Sequence, residues 1–149
     1  MGADVPYFLE GGTALGLNRG DRVLPIPGPR RSHLVIVVPP FGVSTKDAYA
    51  WWDRDHAARL KPRAPAVNDL QAPVAKRHPE ISRIVDELRR AGAMHAAMSG
   101  SGSAVFGLFA TPTAAARAAT AVRRRGRRRW RIEKTRTLSR AECRALAAK

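Results

Sequence analysis

The sequence predicts an α+β fold, a mostly antiparallel sheet with helices packed on one face, and three observations lead there. His33 to Val38 is a β-branched run suited to a buried strand and closed by Pro39-Pro40. Ile81, Ile84, Val85 and Leu88 recur at i, i+3, i+4 and i+7, the spacing of an amphipathic helix. Strand-like segments come first and then alternate with helix-like ones, an order expected of helices laid on an antiparallel sheet.

Taken from the N-terminus, Pro6-Tyr7-Phe8-Leu9 is apolar at once and Gly11-Gly12 turns the chain, so the sequence reads like a start in mid-fold. Thr13 to Leu17 and Arg22 to Ile26 form two short strands around the turn residues Asn18-Arg19-Gly20-Asp21, which predicts a hairpin. After the His33–Val38 strand, Ser44 or Thr45 caps a helix through Ala48, Trp51 and Trp52, with Asp47 in its first turn. Asp53 to Val67 mixes charge with Pro62 and Pro65 and reads as a surface loop. Asn68 or Asp69 then caps a short helix through Lys76, and Pro79 opens the amphipathic helix that Gly92 stops. Ala93 to Met98 and Ala104 to Ala110 are strands joined by Ser99-Gly100-Ser101-Gly102-Ser103. Thr111 and Pro112 open an Ala-rich helix that Gly126 terminates. Trp130 to Thr137 alternates as a last strand, and Ser139 with Glu142 makes a capping box for a terminal helix.

With 149 residues, 44% of them hydrophobic, the chain has length for one domain with a real core. Its apolar runs fall far short of the roughly 20 residues that span a bilayer, and the N-terminus has no cationic region ahead of an apolar run, so the expected address is cytoplasmic with no membrane contact. Cys143 is the single cysteine, and His33, His56, His78 and His95 stand apart, so no metal-ligand spacing is present. The net charge of +15 is uneven: residues 117–149 hold 13 Lys and Arg against Glu133 and Glu142, which is 11 of the 15. The run from Arg123 to Arg131, with Trp130 inside it, is what a nucleic-acid reading would use, and a solvated basic surface is the competing account.

Four stretches carry a resemblance. GADVPYFLEGGTALG at 2–16, PPFGVSTKDAYAWWD at 39–53, and NDLQAPV with RHPEI at 68–81 resemble the diphosphocytidyl-methylerythritol kinase family. MSGSGSAVFGLF at 98–109 resembles the third motif of the wider GHMP kinase superfamily. The resemblance implies a GHMP kinase C-terminal fold, with residues 1–30 the end of an N-terminal kinase domain and 31–149 the C-terminal domain. It implies an ATP-dependent kinase, with Mg2+, that phosphorylates the tertiary 2-hydroxyl of a cytidyl diphosphate sugar alcohol in non-mevalonate isoprenoid biosynthesis. Family members also carry earlier motifs absent from this sequence, a catalytic Lys and a PxGxGLGGGSSDAA-like phosphate loop. The chain is therefore expected to be a C-terminal half, inactive alone, whose nucleotide-holding half lies upstream or is separately encoded.

Site residues follow from the same resemblance. Asp4 matches the family's catalytic aspartate, a carboxylate that orients the acceptor hydroxyl or takes its proton; position alone favours an ordinary solvated aspartate or helix cap at a terminus. Gly42, Ser44, Thr45, Tyr49 and Trp51 match the segment that shapes the substrate pocket, where an aromatic, Trp51 among them, could stack on cytosine or could simply sit in the core. Ser99, Gly100, Ser101, Gly102 and Ser103 form a glycine-rich turn beside the active site whose small residues permit closely spaced backbone N–H groups, although the Walker A pattern is absent. A non-catalytic basic module that binds nucleic acid through the Arg-rich C-terminal third is the alternative function.

Overall fold

The structure is a computed structural model that describes residues 5–18, 22–28, 31–56, 68–126 and 129–148. Among these the order is α1 (Val5–Glu10), β1 (Ala14–Leu17), β2 (Arg22–Pro25), β3 (His33–Val38), α2 (Thr45–His56), α3 (Gln71–Arg77), α4 (Glu80–Arg90), β4 (His95–Met98), β5 (Val105–Phe109), α5 (Pro112–Arg125), β6 (Arg131–Arg136) and α6 (Arg140–Ala147). Two units result: one runs from His33 to Thr135, and the other joins the described residues up to Ser32 with those from Arg136 onward.

The His33–Thr135 unit is built on a sheet of order β4-β5-β3-β6. β5 is antiparallel to β3, with Val35 opposite Gly107, and to β4, with Ala97 opposite Phe106. Because strand side chains alternate, Val35, Val37, Val105 and Phe109 all turn to one face and are buried there. Helices cover that face. α4 packs on β4 and β5 with Ile81, Ile84, Val85 and Leu88 inward, and α5 packs on β3 and β5 with Ala115, Ala118, Ala119 and Val122 inward. Both quartets fall at i, i+3, i+4 and i+7, and the alanines of α5 let its backbone approach the strands closely. The expected α+β arrangement, with helices on one face of an antiparallel sheet, is what forms.

Caps and stops follow local chemistry. The Thr111 hydroxyl accepts from Ala114 N at 3.1 Å, with Pro112 in the first turn. Gly92 ends α4 at φ +91, where its N–H reaches Arg89 O at 2.9 Å, a left-handed stop that favours glycine. Gly126 ends α5 for another reason. Its φ is −70, and a Cβ there would meet the Trp130 ring at 2.5 Å, so the position needs space and not conformational freedom.

Three local expectations differ from what forms. Asp53 to His56 continue α2, since nothing in that charged stretch breaks a helix before the prolines; residues 57–67 lie outside the described set. Asn68 and Asp69 do not cap α3. The Asn68 side chain instead accepts from Leu70 N at 3.0 Å and turns its amide elsewhere. In the other unit, residues 5–10 form a helix too short to show a period, with Gly11 at φ +65 just after it.

That second unit pairs β1 with β2 antiparallel, Leu15 opposite Leu24. Ser139 and Glu142 make the reciprocal capping box of α6, as the spacing predicts. Glu142 Oε1 also accepts from Arg31 and Arg136, each at 2.7 Å, and Arg140 donates to Thr13 O at 2.8 Å.

Candidate functional site

Along α2, Thr45, Tyr49, Trp52 and Asp53 fall at i, i+4, i+7 and i+8 and so share a face. That face lines a cavity of about 650 Å3 whose other walls are Asn68, Asp69 and Leu70, before α3, and Gly100 and Ser101, between β4 and β5. The start of α2 is fixed by Ser44, whose hydroxyl accepts from Asp47 N at 3.4 Å while its carbonyl accepts from Ala48 N at 2.9 Å. Gly42, just upstream, is exposed with open space around it.

The Ser99–Ser103 turn is tightly specified. Ser99 N donates to Ala104 O at 2.8 Å and Gly102 N to Ser99 O at 3.0 Å. Gly100 and Gly102 take φ +55 and +92, and a Cβ on Gly102 would meet Met98 Sδ at 2.9 Å. The buried Ser103 hydroxyl donates to Phe41 O, and the hydroxyls of Ser101 and Thr45 lie 3.0 Å apart. The backbone amides of Gly100 and Ser101 make no hydrogen bond among the described residues, so both remain donors beside the cavity.

Asn68 and Gln71 bond to this turn and to the end of β4 before it. Asn68 Nδ2 donates to Met98 O at 2.9 Å and to Gly100 O at 2.8 Å. Gln71 Oε1 accepts from Met98 N at 2.8 Å. Trp51 points away from the cavity: the Arg77 guanidinium lies 5.0 Å from its ring centroid, the His78 ring is 5.9 Å away, and Arg77 is held in turn by Asp55 at 3.0 Å.

Of the expected pocket residues, the structure thus brings Thr45 and Tyr49 to the cavity with Gly100 and Ser101, leaves Ser44 as helix cap and Gly42 on the surface, and packs Trp51 elsewhere. Asp4 lies outside the described residues. Trp52, Asp53, Asn68 and Asp69 were not among the expected site residues, although the α2 period carries the first two and the NDLQAPV stretch the others. Two aromatic faces, two carboxylates, the hydroxyls of Thr45, Tyr49 and Ser101 and two backbone donors suit a ligand with a ring and hydroxyl or amino groups. Among the described residues no group of three or more His, Cys, Asp or Glu is placed to hold a metal ion. Nor is any described helix long and apolar enough to cross a membrane. A smaller cavity of about 300 Å3, lined by Gly12, Thr13, Arg31 and Arg140 among others, lies in the other unit.

Comparison with known proteins gives consistent results. The family model "GHMP kinases C terminal" matches residues 54–128. The 4-diphosphocytidyl-2-C-methyl-D-erythritol kinase of Solibacter usitatus is 38% identical over 128 residues, which cover 73% of this chain and 40% of that protein. That of Anaeromyxobacter sp. is 38% identical over 135 residues, 82% of this chain and 44% of that protein. A crystal structure of 4-(cytidine 5′-diphospho)-2C-methyl-D-erythritol kinase superposes with TM-score 0.70 at 31% identity, over 91% of this chain and 53% of that one. The chain spans about half the length of the relatives it matches. Nothing in these matches supports a nucleic-acid-binding module. The chain belongs to the GHMP kinases, in the family of their C-terminal domain.

Proposed function

We propose that this chain is the C-terminal part of an ATP-dependent kinase that phosphorylates the 2-hydroxyl of 4-diphosphocytidyl-2-C-methyl-D-erythritol in non-mevalonate isoprenoid biosynthesis, in the cytoplasm. The observation that carries the reading is the similarity to kinases of that name along most of this chain, together with a cavity whose walls come from three of the four stretches that resemble them. Residues 1–30 are then the end of an N-terminal kinase domain and 31–149 the C-terminal domain. ATP supplies the phosphoryl group and Mg2+ shields its charge, both held mainly by a polypeptide portion outside these 149 residues, upstream or separately encoded.

The residues of this chain act on the acceptor. Tyr49, 56% exposed and lining the cavity, takes the cytosine ring in place of Trp51, whose ring is already engaged by Arg77 and His78. Thr45 and Ser101 offer hydroxyls at 3.0 Å from each other, and the Ser99–Ser103 turn closes the cavity beside them. Ser44 and Gly42 set the entry of α2. Asp4 orients the acceptor hydroxyl or takes its proton as the new P–O bond forms.

The test joins this chain to the missing portion of the Solibacter relative and measures ATP consumption with three acceptors: the cytidyl substrate, homoserine and mevalonate. Turnover with the cytidyl substrate and at most trace turnover with the others is expected. In the same enzyme Asp4→Asn removes the basic carboxylate but keeps the shape, so kcat falls at least about a hundredfold while KM changes little. Preference for another acceptor overturns the substrate assignment, and an Asp4→Asn enzyme that keeps most of its kcat overturns the role of Asp4.

A further inference from the structure

Asn68 makes three hydrogen bonds with one side chain, and two of them hold carbonyls on either side of Ser99. Its Nδ2 donates to Met98 O at 2.9 Å and Gly100 O at 2.8 Å, so both amide hydrogens are committed. Its Oδ1 accepts from Leu70 N at 3.0 Å, which fixes the side chain to the turn ahead of α3. Gln71, three residues on, accepts from Met98 N at 2.8 Å. The pair therefore grips both backbone groups of Met98 and the Gly100 carbonyl in the turn beyond it. The turn has two glycines at positive φ and would otherwise sample many backbone states. Asn68 and Gly100 both line the cavity, so the bond between them spans its wall.

We propose that Asn68, backed by Gln71, is a positioning residue that sets the backbone of the Ser99–Ser103 turn so that the Gly100 and Ser101 amides and the Ser101 hydroxyl face the ligand. An aspartate at this position would keep the shape and the bond to Leu70 but set a carboxylate oxygen against two carbonyls. Protonation returns one donor, so the defect of Asn68→Asp is relieved as pH falls through the titration of the introduced carboxyl. Asn68→Ala has no such route back. The ligand side of this inference rests on the reading of the cavity as a cytidyl site, whereas the bracket itself does not.

Two measurements on the full chain separate them. Amide hydrogen exchange reads the bracket: Asn68→Ala and Asn68→Asp at pH 7 are expected to lower protection about tenfold at Met98, Ser99 and Gly102, the scale of one lost hydrogen bond, with the amides of β3 unchanged. Protection in Asn68→Asp, expressed against intrinsic rates, recovers at acidic pH and that in Asn68→Ala does not. Titration with cytidine 5′-diphosphate reads the ligand side: both variants bind about tenfold more weakly at pH 7, and only the Asp variant regains affinity on acidification. Unchanged protection in the turn, or an equal loss across the whole sheet, overturns the positioning role. Local loss of protection in a chain whose wild type does not bind the nucleotide sustains the bracket and overturns the cytidyl reading of the cavity.

Discussion

Thr45, Tyr49, Trp52 and Asp53 share one face of α2, and Ala48 and Trp51 point elsewhere, so two adjacent tryptophans have different roles. That division was legible in the helical period once Thr45 was taken as the reference, because residues four, seven and eight positions on lie beside it and the residue six positions on does not. What the sequence left hidden was the partner of Asn68, since the bonds to Met98 and Gly100 cross some thirty residues and depend on where the turn folds. Glu142 is the reverse case. The capping box was legible from Ser139 and Glu142, but the convergence of Arg31 and Arg136 on the same carboxylate was not. Donation from Ser139 N, then from Arg136 and the Ser139 hydroxyl, lowers the Glu142 pKa from 4.5 to about 2. On unfolding the carboxyl takes up its proton at the higher pH, so its contribution is present above about 4.5 and is lost as pH falls towards 2. Thermal unfolding of wild type and Glu142→Gln across that range should show the variant melting lower at pH 7 and the two converging near pH 2. A constant difference at every pH would place the effect elsewhere than in this charge.

At the scale of elements, the strand and helix order was readable because each segment announces its own period, and the ends followed from Thr111, Pro112, Gly92 and Ser139. The helix over residues 5–10 was not, since six residues hold fewer than two turns and only Gly11 marks its end. Gly126 shows how a correct boundary can have a different cause, with the Trp130 ring and not a left-handed backbone requiring the missing side chain. The amphipathic α4 supports the most direct test. Leu88 is fully buried between the helix and the sheet, and truncation to Ala removes its contacts and leaves a cavity that rigid strands cannot fill. Leu88→Ala should cost about 2–5 kcal/mol in urea unfolding, with an unchanged m value. A cost below about 1 kcal/mol would mean that α4 is not the lid of this core.

For the whole molecule, the Arg-rich run was open to two readings, a polyanion site and a solvated basic surface. The Arg-rich run suggests a polyanion partner, yet Arg125 pairs with Glu87 at 2.9 Å and Arg123 reaches Ile132 O at 3.5 Å, so part of it belongs to the fold. On the proposed reading the 149 residues hold the acceptor side: an aromatic-walled cavity, a glycine-rich turn and, in Asp4, the base that the resemblance implies. What they do not contain is a Walker A sequence, a PxGxGLGGGSSDAA-like loop or, among the described residues, a metal-ligand cluster. Phosphoryl transfer draws most of its rate from preorganised charges around the transferred group, and a carboxylate near the acceptor cannot replace them. The purified chain alone should therefore show no ATP consumption above background when supplied with the cytidyl substrate and Mg2+, while still binding cytidine 5′-diphosphate. Addition of the N-terminal portion of a related kinase as a separate polypeptide should, on the proposed reading, restore turnover in proportion to the complex formed. Substrate-dependent turnover by the unaided chain would mean that these residues assemble a nucleotide site of their own, and the division of labour between the two portions would have to be redrawn.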